Sequence, residues 1–236
     1  LEKLFNQVTD YLNKNPLQNV PAITAIGRGN SEIVALDEGG VILYEKALGI
    51  YFVSLDDNSL FDKVYDCIKD KLDTVVALRE KNINYIAEIM KPDAIVNCYQ
   101  AVYKEPCAKP YDVDIRPLGI EYLDFVSDNY SLHLDREYIA ERLISGEVFG
   151  AFLDGEISGF IGRHDEGAMG MLEVMPDKRR MGLATALMHY LINHILALGE
   201  IPYGQIKTHN TASLELNKKI QGSVIAPEKI AWLFYK

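Results

Sequence analysis

The chain has 236 residues and a formal net charge of −10, a length that holds one large domain or two small ones. Its apolar and charged fractions are those of an ordinary soluble globular protein. The acidic balance argues against nucleic acid and against an anionic membrane as partners, since both require a basic face, so a phosphate ligand would have to be caught locally.

The elements read as follows from the N-terminus. Leu1, Leu4, Phe5, Val8 and Leu12 recur at helical spacing over residues 1–14, and Asn15-Pro16 ends that helix. Strands are expected at 22–27 (AITAIG), 32–37, 39–46 and 49–55, with a hairpin turn at Asp37-Glu38-Gly39-Gly40. A helix over Leu60–Ile68, a strand at 74–78, a helix over Asn82–Met90 and a strand at 94–103 complete an α/β first half. Lys104–Asp114 carries Pro106 and Pro110 and little periodicity, and reads as a linker. Beyond it come a strand at 113–118, helices at 119–129 and 135–145, and strands at 148–155, 157–164 and 168–176. A helix at 183–198, a strand at 203–209, a helix at 211–219 and a strand at 230–236 close the chain. The fold class is α/β with a mixed sheet, and the domains divide as 1–108 and 109–236.

Cys67, Cys98 and Cys107 are odd in number, far apart and without C-x-x-C spacing, which reads as free thiols in a reducing, cytoplasmic compartment. No secretory signal or bilayer-length apolar run is expected. The sequon Asn129-Tyr130-Ser131 carries no weight in such a chain.

Chemistry concentrates at Pro176–Leu187, PDKRRMGLATAL. Leu183, Leu187, Leu191 and Ile195 form a helical stripe that packs on a sheet. The N-terminus of that helix leaves backbone N–H groups unpaired and carries a partial positive charge, which together favour an anion. Gly182 lets the backbone approach without a Cβ, and Arg179 and Arg180 add guanidinium forks suited to phosphate oxygens. The alternative is a solvated basic turn before a core helix. The motif is neither a P-loop nor a dinucleotide fingerprint.

Leu172 to Thr185, with Val174-x-Pro176 followed by Arg179-x-x-Gly182-x-Ala184, resembles the signature of the GNAT superfamily of N-acyltransferases. The resemblance covers about residues 113–236 and implies a GNAT fold that binds the pyrophosphate of acyl-CoA at Arg179, Arg180, Met181, Gly182, Leu183, Ala184 and Thr185. It also implies that the strand before the motif splays from its neighbour, with backbone groups of Leu172 and Val174 holding the pantetheine and the thioester carbonyl. Asn210-Thr211-Ala212-Ser213 and the residues after it are similar to a further family stretch, making Asn210 and Ser213 coenzyme contacts. Asn217 stands where many relatives carry a tyrosine that protonates the leaving thiolate, and asparagine is no useful acid. The first half is similar to the degenerate, half-GNAT first domain of glycine N-acyltransferase-like members, and no cofactor is expected there.

Acyl transfer needs an amine that is neutral when it attacks, so a nearby carboxylate or histidine must take a proton. Glu173, on the strand before the motif, is the first candidate, set against a salt-bridged or solvent-facing role. Simple alternation puts Met169, Met171, Glu173 and Met175 on one face and Gly170, Leu172 and Val174 on the other, unless a bulge intervenes. Glu166, beside His164 and Asp165 on the hairpin, is the second candidate, set against an ordinary polar turn. His133 is a candidate for the acceptor pocket; His189 and His194 read as packing or surface residues, and His209 as ambiguous. No residues have metal-ligand spacing. The reading is therefore transfer of acetyl, or another short acyl group, from acetyl-CoA to a primary amine of a small molecule, by direct attack in a ternary complex. An acyl-CoA sensor without turnover and a protein acetyltransferase are the alternatives, and a homo-oligomer is left open.

Overall fold

The computed structural model describes residues 2–71, 73–108, 113–132 and 134–235. Part of the expected linker and His133 lie outside these residues. In chain order the elements are α1 (Glu2–Leu12), α2 (Pro16–Gly27), β1 (Ser31–Asp37), β2 (Gly40–Glu45), β3 (Ile50–Leu55), α3 (Ser59–Ile68), β4 (Thr74–Ala77), α4 (Glu80–Met90) and β5 (Ala94–Tyr103). They continue as β6 (Asp114–Pro117), α5 (Leu123–Asn129), α6 (Arg136–Ile144), β7 (Val148–Leu153), β8 (Glu156–Arg163), β9 (Met169–Val174) and α7 (Leu183–Ala197). Last come β10 (Tyr203–Lys207), α8 (Thr211–Lys219), β11 (Ser223–Ile225) and β12 (Ile230–Phe234).

The chain forms two compact units: Leu1–Val102 with Gln205–Thr211 and Ile225–Lys236, and Tyr103–Gly204 with Ala212–Val224. This differs from a single cut at 108/109, chiefly because the last strand joins the first unit. There β12 lies antiparallel between β4 and β5, pairing Ala231 with Ala77 and with Asn97. Ala231 and Leu233 are buried in one core with Val53, Val75 and Ala77. An alternating apolar strand carries no mark of which sheet it will enter.

The first unit orders its strands β1-β2-β3-β4-β12-β5, with β3 and β4 parallel and the other pairs antiparallel. The expected strand at 22–27 is instead the second half of α2, a helix with Pro16 at its start and Pro21 inside it. Pro21 has no N–H to give to the carbonyl of Leu17. That carbonyl is satisfied by the side-chain amide of Gln100, at 2.5 Å. The helix is also pinned by Asn19, which donates to Leu12 O at 2.9 Å and accepts from the Ser54 hydroxyl at 2.8 Å. These long-range partners override a short apolar run that local pattern leaves ambiguous between helix and strand.

The second unit orders its strands β10-β9-β8-β7-β6. Its strands are antiparallel except for β9 and β10, which are parallel. α7 packs on β7, β8 and β9, burying Leu183, Leu187, Leu191, Ile192 and Ile195. On the other face, Val126 and Tyr130 from α5 and its end and Ile139 and Leu143 from α6 form a core with Leu118, Val148, Phe160 and Met171.

A candidate acyl-transfer site

The turn into α7 is made by two left-handed residues. Arg179 is extended, Arg180 has φ 65°, and Gly182 has φ 84° and ψ 0°. The left-handed region costs a non-glycine residue roughly 1–2 kcal/mol, which Gly182 avoids and Arg180 does not. The Gly182 carbonyl accepts the first helical bond, from Ala186 N at 3.0 Å. The amides of Leu183, Ala184 and Thr185 precede that bond, so α-helical geometry gives them no partner in the helix. No side chain caps the helix and its first turn holds no acidic residue. Leu183 is buried and anchors the turn; Ala184 and Thr185 are half-buried, and Arg179, Arg180 and Met181 are exposed. The Nε of Arg179 donates to the Val174 carbonyl at 3.1 Å, tying the turn to the end of β9. Its two terminal nitrogens have no hydrogen-bond partner among the described residues, which suits them to an anion.

β9 departs from regular pairing in its middle. Gly170 pairs with Gly162 and Glu173 with Phe160, so two residues, Met171 and Leu172, face one residue of β8. Met171 has φ 51°. This is a bulge, and it changes the facing of the strand. Gly170 and Glu173, three residues apart, lie on the same side as Phe160 and Gly162, together with Met171. The alternation expected from sequence put Gly170 on the opposite face from Glu173; the extra residue removes that opposition. Among the described residues β9 and β10 share one register pair, Gly204 with Met169. Past that pair, one edge of the bulged segment has no β10 partner in register.

The side shared by Gly170 and Glu173 faces α5 and α6. Glu173 is half-buried, and its Oε1 accepts the backbone N–H of Ser131, just after α5, at 3.2 Å. Its cross-strand neighbour Phe160 meets Tyr130 and Phe125 edge-on, at ring distances of 6.4 and 6.2 Å. Burial pushes the Tyr130 hydroxyl up to about 12; the Met171 backbone works against the shift, and the charges of Glu173 and Glu166 add to it. Both candidate carboxylates therefore act on one phenol at the bulge.

The β8–β9 hairpin is fixed to α6 by two contacts. Arg142 forms an ion pair with Asp165, and its guanidinium lies 5.8 Å from the Tyr138 ring centre. The Tyr138 hydroxyl is 2.8 Å from His164 Nδ1, and the two rings stack. Burial, with the charges of Glu166 and Asp165, raises the pKa of Tyr138 and keeps it a neutral phenol. The Glu166 carbonyl accepts the hydroxyl of Tyr203 at 2.8 Å. Sequence reasoning missed Tyr130, Tyr138 and Arg142; the i,i+4 spacing of Tyr138 and Arg142 was the available signal.

Asn217 is buried and accepts the hydroxyl of Tyr103, while its amide donates to the Ser213 carbonyl at 2.8 Å. Ser213 lies in the first turn of α8, in the second unit. Asn210 is exposed and belongs to the Gln205–Thr211 segment of the first unit. His189 bonds the Ala108 carbonyl at 2.6 Å, and His194 packs on Phe149 and Tyr190. His209 is exposed. Among the described residues no group of three or more His, Cys, Asp or Glu side chains is placed to hold a metal ion. No described helix is long and apolar enough to cross a membrane.

Residues 149–233 match the family model described as FR47-like protein. No curated protein matches the chain. Among solved structures, a Drosophila protein is similar over 98% of this chain and 96% of its own, at 15% identity and a TM-score of 0.66. A GCN5-related N-acetyltransferase from Kribbella flavida is similar over 91% and 95%, at 10% identity and a TM-score of 0.60. A GNAT-family acetyltransferase from Colwellia psychrerythraea is similar over 85% and 82%, at 16% identity and a TM-score of 0.54. At such identities the likeness concerns the fold.

Proposed function

From a chain whose residues 149–233 match an FR47-like family model and whose fold is like that of GNAT acetyltransferase structures, we infer an acyl-CoA-dependent N-acetyltransferase acting on a primary amine of a small molecule. The observation that carries this reading is the entrance to α7. Its left-handed Gly182, uncapped first turn without acids and adjacent Arg179 and Arg180 make one local cationic site on a chain of net charge −10. These features suit a pyrophosphate.

Acetyl-CoA supplies the activated acyl group as a thioester. The amides of Leu183, Ala184 and Thr185, with Arg179, Arg180 and the backbone at Met181 and Gly182, would hold its phosphates. Backbone groups of Leu172 and Val174, on the free edge beyond the Gly204–Met169 pair, would hold its pantetheine arm, with Ser213 as a further contact. On the α5–α6 side, Glu173 draws the acceptor as an ammonium ion and takes its proton, so that a neutral amine attacks. Glu166 adds negative charge on the same side. The half-buried setting of Glu173 and its single donor among the described residues, to Oε1, leave Oε2 for that task.

The test is turnover of acetyl-CoA with a panel of small primary amines and lysine peptides, following thiol release and the acetylated product by mass spectrometry. Product from a small amine supports the reading. Product from peptides alone overturns the acceptor class, and coenzyme binding without thiol release for any acceptor overturns catalysis. In the same assay Glu173→Gln is expected to lower kcat about 10²–10⁴-fold.

A further inference from the structure

Resting on the acetyl-transfer reading above, we propose that His164 is a catalytic hydrogen-bond donor whose Nε2–H, fixed by Tyr138, stabilises the charge that develops on the acyl oxygen.

The placement is specific. A Cβ built at Gly170 would lie 2.3 Å from His164 Nε2 and 2.6 Å from Cδ2. Only glycine at this position admits the imidazole edge to the backbone, and Gly170 is the residue just before the bulge at Met171 and Leu172. The Nε2 edge thus stands over Gly170, two residues before Leu172, where the stretch of β9 assigned to the thioester carbonyl begins. Among the described residues Nε2 makes no hydrogen bond within the chain.

The partners of Tyr138 decide which ring nitrogen carries the hydrogen. The phenol is neutral, burial and the charges of Glu166 and Asp165 holding its hydrogen on the oxygen. Its own hydrogen still needs an acceptor, and Nδ1 of His164 stands 2.8 Å away. The Tyr138 hydroxyl therefore donates to Nδ1, which places the ring hydrogen on Nε2. A histidine held in this way is a donor rather than a base, which leaves proton removal to Glu173. Of the charged and titratable groups around the ring, Tyr138 from α6 stacks on it, Arg142 from α6 pairs with the adjacent Asp165 and lies 5.8 Å from the Tyr138 ring centre, and Glu166 follows in the same hairpin.

In the step itself, the amine lone pair forms the C–N bond while the carbonyl π pair moves onto oxygen, where the Nε2–H stabilises it. The C=O bond then re-forms and the C–S pair departs with sulfur as a thiolate; Glu173, having passed the ammonium proton to solvent before the attack, takes the second proton from nitrogen and gives it to solvent or to the thiolate. The hydrogen on Nε2 is shared but never transferred. Aiming a fixed donor at charge that exists only during reaction lowers the barrier without tightening the ground state.

The experiment compares the full chain with His164→Ala, His164→Gln and Tyr138→Phe, reading acetyl-CoA affinity by calorimetry, kcat with the best amine, and the imidazole tautomer by nitrogen-15 NMR in the free protein. His164→Ala is expected to lower kcat about 10²–10³-fold with acetyl-CoA affinity unchanged. Glutamine, whose side-chain N–H replaces the Nε2 donor, is expected to restore most of that loss. The NMR signal should report the ring hydrogen on Nε2, with that preference lost in Tyr138→Phe. Equal loss in the Gln and Ala variants, a ring protonated at Nδ1, or an unchanged kcat in His164→Ala overturns the proposal. An unaltered chain that turns over no amine overturns the acetyl-transfer reading as well. Turnover that survives His164→Ala intact defeats the histidine alone.

Discussion

Tyr103, at the end of β5, donates its hydroxyl hydrogen to the side-chain oxygen of Asn217, and both residues are buried. A phenol therefore does stand beside position 217 of α8, delivered from the end of β5. Burial raises its pKa and keeps it neutral. Tyr103→Phe leaves the Asn217 oxygen without a donor, at an expected cost of about 1–3 kcal/mol. Urea unfolding of Tyr103→Phe, Asn217→Leu and the double variant measures this. The double variant is expected to lose clearly less than the sum of the singles, and strict additivity would show that the pair is not coupled.

Gly182 is left-handed and sits where an anion would approach the first turn of α7. Gly182→Ala should cost roughly 1–2 kcal/mol of stability from the positive φ alone. Gly182→Asp adds a negative charge there and is expected to abolish detectable coenzyme binding while circular dichroism stays native. Retained affinity in Gly182→Asp would remove the phosphates from this turn.

Arg179 and Arg180 are exposed, and the terminal nitrogens of Arg179 are not engaged by the Val174 carbonyl. Replacing both with glutamine is expected to weaken coenzyme affinity and to flatten its dependence on salt, since exposed charges act through screened attraction. Calorimetry across a salt series reads both effects. A salt dependence unchanged by the double substitution would place the phosphates elsewhere.

Stability at high pH follows from the buried phenols. Tyr130 is raised from 10.0 to about 12, first by burial, and Tyr11 is raised to about 12 by burial and by Asp56, which accepts its hydroxyl. A group with a raised folded pKa keeps the unfolded state the poorer proton binder between the two values. Stability is thus fully present below pH 10 and falls as pH rises from 10 towards 12. The loss at Tyr130 is on the order of 3 kcal/mol, at about 1.4 kcal/mol per unit. Urea unfolding as a function of pH should show the decline, and Tyr130→Phe should make it shallower. A flat profile in the unaltered chain would contradict it.

The elements of the second unit were legible because their signals are local. Leu183, Leu187, Leu191 and Ile195 mark the buried face of α7, and Gly182 marks its start. The strand–turn–helix motif was equally plain. Two features were not legible, for the same reason. The helix over 22–27 depends on Gln100 reaching the Leu17 carbonyl that Pro21 leaves without a donor. The common facing of Gly170 and Glu173 depends on an extra residue in β9 opposite β8. Both are decided by residues far apart in the chain. The partnership of His164 with Tyr138, 26 positions apart, was hidden likewise, although each residue was visible singly.

The most direct measurement is a calorimetric titration of the unaltered chain with acetyl-CoA at moderate salt. Saturable heat with one site per chain and a Kd of about 1 mM or tighter is expected, corresponding to about −4 kcal/mol or better. No heat at millimolar coenzyme would contradict the assignment of the α7 entrance as a pyrophosphate site and, with it, acetyl transfer.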